Sequence, residues 1–160
     1  MPSWSRSRVS KSITVNDTEG HAPPAQCSGA KPVTTSFDFT PAELGLAAAF
    51  CANRYYIPKR LQAAHVRSMS AMIDLHVDAS AADFALENSA GQLKDFVGSY
   101  LTGVIATGLG YLFMEAEGYV WCGHFEDAAG GDPTATRSPD FVFEHGLTHD
   151  LALTESKGTR

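Results

Sequence analysis

Residues 139–158 read PDFVFEHGLTHDLALTESKG, and this segment decides how we interpret the fold. Two short β-prone runs, Phe141–Phe143 and Leu151–Thr154, flank a polar segment that contains Gly146. Such runs on either side of a polar, glycine-containing loop predict a β-hairpin. We therefore expect the end of this sequence to be antiparallel sheet.

The predicted hairpin gathers charged side chains at its open end. Folding it at the loop places Asp140 beside Glu155 across the ladder, and alternation along the strand puts Glu155 and Lys157 on one face. Two carboxylates about 4 Å apart repel by roughly 4 kcal/mol at an effective dielectric of about 20, so a counter-charge is needed. Hard oxygen ligands suit Mg²⁺ or Mn²⁺. A proton, a nearby lysine such as Lys157, or a divalent cation held by Asp140 and Glu155 could supply the counter-charge, and beside a cation Lys157 would act as a point charge.

This pattern resembles the PD-(D/E)XK nuclease superfamily, which has the restriction-endonuclease-like fold. The residues that carry the resemblance are Pro139-Asp140 and Glu155-Ser156-Lys157. The resemblance implies a divalent-metal-dependent nuclease in which Asp140, Glu155 and Lys157 are catalytic. It also implies nucleic acid as the substrate, and we expect DNA before RNA. An ordinary surface hairpin is the alternative interpretation.

The order of the preceding elements agrees with the resemblance. A long helix is predicted to end near Glu117, and Tyr119–Phe125 reads as the first strand of a three-stranded antiparallel meander. In the family the helix often adds an acidic residue, which Glu115 or Glu117 matches. We therefore expect an α+β fold, with N-terminal helices, the long helix and the meander, and a partial nuclease-like core from about residue 90 to 160.

The family core continues after E-x-K with a further helix and strand, which this sequence does not supply. We therefore expect either the N-terminal part of a longer nuclease or the product of a shortened gene, inactive or weakly active by itself. An unpaired edge on the last strand invites association. The expected partners are nucleic acid and a second copy or another protein that completes the sheet edge.

Composition and charge limit which other functions the chain can have. The chain has 160 residues, 12 basic and 18 acidic residues and a formal net charge of −6. Residues 1–36 have four basic and two acidic residues, and the remainder is strongly acidic. An acidic body does not coat nucleic acid by bulk charge. We expect 1–36 to be a disordered leader, 37–160 to be one domain, and the widely spaced three cysteines to indicate a cytoplasmic protein.

Helix signals dominate the middle of the chain. Thr40-Pro41-Ala42-Glu43 is a capping box with proline at the first helical position, and a second helix is predicted from about Lys59 to Val77. The longest helix candidate opens near Ser89 and includes nineteen uncharged residues, 96–114, which is long enough to span a membrane. Its large residues favour one side and its glycines the other, so we expect a buried helix and no membrane span.

A non-enzymatic helical module that binds another protein is the alternative function. A single-span membrane protein is a further one. The basic and aromatic stretch that includes Lys59, Arg60 and Arg67 is typical of a solvated helix face, and a nucleic-acid contact is its functional interpretation.

Overall fold

The computed structural model describes Trp4 and residues 10–16, 34–53, 58–127 and 139–156. Within these ranges the fold is α+β, as predicted, and it contains helices and two antiparallel sheets. The elements in chain order are β1 (Lys11–Asn16), β2 (Thr34–Phe39), α1 (Pro41–Cys51), α2 (Lys59–Asp74), α3 (Asp95–Ala116), β3 (Tyr119–His124), β4 (Phe141–His145) and β5 (Leu151–Thr154).

Helix α1 begins at the capping box that the sequence predicts. The Thr40 amide donates to Glu43 Oε2 at 2.7 Å, and the Glu43 amide donates to Thr40 Oγ1 at 3.3 Å. These two bonds satisfy donors that a helix start leaves unpaired, and Pro41 needs no donor there. Helix α2 ends at Asp74, three residues before the predicted end at Val77.

The long helix α3 packs across α1 at a glycine. A Cβ atom on Gly108 would lie 3.0 Å from Leu44 Cδ1 and 3.2 Å from the Ala48 backbone nitrogen, so a larger residue would require α1 or its side chains to shift. The close approach of another element at a small residue is what the pattern predicts. The expected burial is wrong for two large residues of the first half, because Phe96 is 78% exposed and Tyr100 is 52% exposed.

Helix α3 is the one described helix that is long and apolar enough to cross a membrane by length and composition alone. About 33% of its most apolar window is buried inside the protein. Its buried residues include Leu101, Val104 and Ile105, which belong to the main hydrophobic core.

The N-terminal sheet corrects the expectation of a disordered leader over residues 1–36. Strand β1 lies inside that range and pairs antiparallel with β2. Phe37 and Phe39 of β2 are buried, and Trp4 contacts Phe39 edge-on at 6.0 Å between ring centroids. Buried aromatic side chains stabilise this sheet. The mostly polar composition of residues 1–36 gives no indication of that packing. The rest of the predicted leader lies outside the described residues.

The meander has the predicted order β3-β4-β5 and is antiparallel throughout. Phe141 and Phe143 of β4 face inward and pack with Cys51 and Met114 in a second core cluster. Strand β3 runs back along α3, because only the short turn after α3 separates the two elements. The end of β3 therefore lies beside the first half of α3, where the cleft described next is found.

Candidate functional site

A cleft of about 570 Å³ lies where the three helices meet one end of the meander. Its apolar wall comes from the helices, through residues such as Ala48, Met69 and Val104. Its ionisable side chains from α2 and from the sheet end include His65, His124, Glu126 and Asp140, and hydroxyl groups come from α3 and from Ser156. Polar groups of this kind beside an apolar wall are typical of a ligand site.

Asp140 enters the cleft because of a local irregularity in the hairpin. Its amide donates to the Thr154 carbonyl at 2.8 Å, although Thr154 is the register partner of Phe141. Asp140 and Phe141 thus both oppose Thr154, which is the arrangement of a β-bulge. The Oδ2 atom of Asp140 also accepts the Ser156 amide at 2.8 Å. The cleft is lined by Asp140, Phe141 and Ser156 together.

Glu155 and Lys157 are the other two residues that the motif assigns. Glu155 follows Thr154, the residue opposite Asp140 and Phe141, and it is exposed and does not line the cleft. Because side chains alternate along a strand, Glu155 lies on the same face as Leu151 and Leu153, and both leucines face outward. Lys157 lies outside the described residues. Of the residues assigned from the motif, Asp140 is the one that the structure places in the cleft.

Glu115 and Glu117 are not brought to Asp140. They belong to the last turn and C-cap of α3, beside the start of β3, whereas Asp140 lies beside the end of that strand. The five residue steps along β3 correspond to roughly 16 Å. Glu115 instead forms a hydrogen bond with Tyr111. Burial, as the larger cause, and this hydrogen bond raise the pKa of the Tyr111 hydroxyl.

Two histidines share contacts with Asn53, which follows α1. Nε2 of His124 lies 3.0 Å from the Asn53 carbonyl oxygen. Because a carbonyl oxygen only accepts, Nε2 of His124 is the donor in this contact, which leaves Nδ1 as the ring nitrogen that could accept. The Asn53 side-chain amide donates to Ala49 and lies 3.5 Å from Nε2 of His65.

The acidic groups of the cleft are Asp140 and Glu126. The Phe125 amide donates to the Asp140 carbonyl at 3.1 Å, so the turn that bears Glu126 is tied to the backbone of Asp140. The described residues hold no group of three or more His, Cys, Asp or Glu side chains close enough to share a metal ion. Mg²⁺ is often bound by only one or two carboxylates, its other ligands being waters.

His124, Glu126 and His65 are not among the residues that the motif assigns. The signal for His124 and Glu126 was their position after an apolar strand, opposite the Pro139-Asp140 motif. His65 had no such signal, because it enters the cleft from a helix that the sequence does not place next to the sheet.

Comparison of the chain with protein-family models, with curated proteins and with solved structures found no match.

Proposed function

We propose that this protein is a divalent-cation-dependent hydrolase of phosphodiesters, with its reaction centre in the cleft at Asp140. The observation that carries the proposal is that one cleft collects Asp140, Glu126 and His124 at the end of the meander. The Pro139-Asp140 motif supplies the chemical class, through its resemblance to the PD-(D/E)XK nucleases.

Asp140 and Glu126 are the proposed cation ligands. Carboxylate oxygens suit Mg²⁺ or Mn²⁺, and the bound cation would lower the pKa of a water and neutralise phosphate charge. Oδ2 of Asp140 accepts a hydrogen bond from the Ser156 amide, and this bond fixes the orientation of the carboxylate. Glu155 is the ligand that the motif alone assigns, so the choice between Glu126 and Glu155 is the first point to test.

His124 is the proposed general base. Its Nδ1 lone pair takes a proton from the attacking water while Nε2 remains bonded to the Asn53 carbonyl. The water oxygen then forms a bond to phosphorus. The bond from phosphorus to the leaving oxygen breaks, and that oxygen departs with the electron pair and is protonated by solvent.

Nucleic acid is the proposed substrate, DNA before RNA. The cleft carries two carboxylates and the whole chain has a net charge of −6, so a cation must compensate the phosphate. Arg60 and Arg67 of α2 are exposed and seven residues apart, which places them on one helix face. His65 and Met69 mark the cleft side of α2, roughly opposite that basic face. The basic face thus supplies no direct contact inside the cleft.

The test is cleavage of plasmid and of labelled single-stranded DNA and RNA with Mg²⁺, Mn²⁺ or EDTA. We expect weak cleavage by this chain, which EDTA abolishes and which Asp140→Asn and Glu126→Gln abolish. His124→Gln is expected to lose roughly 100-fold or more of the rate, as for removal of a general base. Asp150→Asn changes an exposed carboxylate at the hairpin loop and is the matched control.

Binding of Mn²⁺, followed by electron paramagnetic resonance, separates ligands from other residues. Asp140→Asn and Glu126→Gln should weaken Mn²⁺ binding, whereas His124→Gln should not. Loss of binding in Glu155→Gln with normal binding in Glu126→Gln would restore the motif assignment. No metal-dependent cleavage by the wild-type chain, together with no Mn²⁺ binding, would refute the proposed function.

A binding module without catalysis is the second candidate, and one observation favours it. The outer face of the meander exposes Val120, Leu151 and Leu153. Exposed apolar side chains grouped on one sheet face are typical of a protein contact. This candidate is favoured if the chain binds no Mn²⁺ and shows a saturable protein partner.

A further inference from the structure

Strand β5 presents an open edge. It pairs with β4 on one side, and in the described part of the chain no strand pairs with its other side. The His145 amide donates to the Asp150 carbonyl at 2.9 Å, in the same register that pairs Phe143 with Ala152. Since hydrogen bonding alternates along an antiparallel strand, Ala152 bonds toward β4. The amides and carbonyls of Leu151 and Leu153 therefore point outward from the sheet.

The two edges of the meander differ in how they are protected. Strand β3, at the far edge, has a bulge between Trp121 and Gly123, which disrupts a flat edge. Strand β5 has no proline, no charged residue and no register shift between Leu151 and Thr154. Leu151 is 68% exposed and Leu153 is 55% exposed. An unprotected apolar edge of this kind is a pairing surface.

We propose that β5 pairs antiparallel with β5 of a second copy of this chain, about a two-fold axis perpendicular to the sheet. Side chains that oppose each other across an antiparallel pair lie on the same face. A two-fold axis of this kind keeps the inner faces of both copies on one side. Leu151 then opposes Leu153 of the second copy, and Ala152 opposes Ala152.

This register is self-complementary, which favours a second copy over an unrelated partner. It makes Leu151 and Leu153 the hydrogen-bonded pairs, and their free amides and carbonyls are the ones that point outward. The leucines of both copies then form one apolar cluster on the outer face. Continuing the same register to Asp150, whose carbonyl still accepts from His145, places Asp150 opposite Thr154, so the end of the strand does not bring two carboxylates together.

The strength of the contact follows from its size. A stable protein interface buries about 1,600 Å², and two strands of four residues cover far less. We therefore expect a reversible dimer with a dissociation constant in the micromolar range or weaker. The inference does not depend on the proposed hydrolytic activity.

The first experiment is sedimentation equilibrium of the full chain over a wide concentration range. The wild type should convert from monomer to dimer, and Leu153→Lys should raise the dissociation constant by roughly tenfold or more. Leu147→Lys is the matched control, because Leu147 is 88% exposed but lies in the turn, away from the edge. A wild type that stays monomeric, or equal effects of the two lysine variants, would overturn the proposal.

The second experiment fixes the register by a disulfide. The self-opposed Ala152 is a non-hydrogen-bonded pair, with Cα atoms about 4.5 Å apart, within disulfide range. Under mild oxidation, Ala152→Cys in a background with Cys27 and Cys122 changed to serine should form a covalent dimer. Thr148→Cys in the same background should not. A cross-link at position 148 and none at 152 would contradict this pairing.

Discussion

Gly108→Ala tests whether α3 packs closely on α1 in the hydrophobic core. Gly108 sits at the helix crossing, and an added Cβ would lie 3.0 Å from Leu44 Cδ1 and 3.2 Å from both the Cβ and the backbone nitrogen of Ala48. The leucine methyl can move, but the backbone of α1 cannot move without shifting that helix. The added methyl group must therefore separate the two helices or distort one of them.

The magnitude follows from two opposing terms. Replacing glycine by alanine inside a helix stabilises by about 1 kcal/mol, whereas overpacking a tight contact costs about 1–3 kcal/mol. Gly108→Ala should thus lie between neutral and about 2 kcal/mol destabilising. Gly110→Ala is the control in the same helix, because an added Cβ there meets nothing within 4 Å. It should stabilise by about 1 kcal/mol.

Urea unfolding followed by circular dichroism measures both variants. The predicted quantity is the difference between them, about 1–3 kcal/mol in the free energy of unfolding, which removes the shared propensity term. Equal stabilisation by the two substitutions would refute the close approach of α1 to α3. In that case the apolar length of α3 would need another explanation, such as a membrane.

Two more outcomes follow from titratable groups. Burial and, to a smaller extent, the charge of Glu115 raise the pKa of the Cys51 thiol. A thiol reagent should therefore modify the exposed Cys122 quickly and Cys51 only on unfolding. Mass spectrometry of peptides measures the modification of each cysteine. Hydrogen bonds from Ser80 lower the pKa of Asp78, so its stabilising effect is present above the unfolded value of about 4 and disappears as pH falls through the folded value. Asp78→Ala should therefore lower the urea midpoint at pH 7, and that difference should vanish in strong acid; a deficit that persists in strong acid would show that the charge is not the cause.

The sequence by itself determined the local elements. The capping box at Thr40, the hairpin after Asp140 and the order of helix and strands are local patterns. Each depends on interactions between residues close along the chain, so the sequence contains the information needed to predict them. The α+β class followed from their order.

Only the tertiary structure decided which predicted residues share a site. The shift of one residue at Asp140 turns it toward the cleft with Phe141, while Glu155 follows the outward side of its strand. A shift of this size leaves no mark in the spacing of acidic residues. His124 and His65 come from a strand and a helix far apart in sequence, and they meet through Asn53. Contacts of this kind depend on how whole elements pack, which the order of residues within each element does not specify.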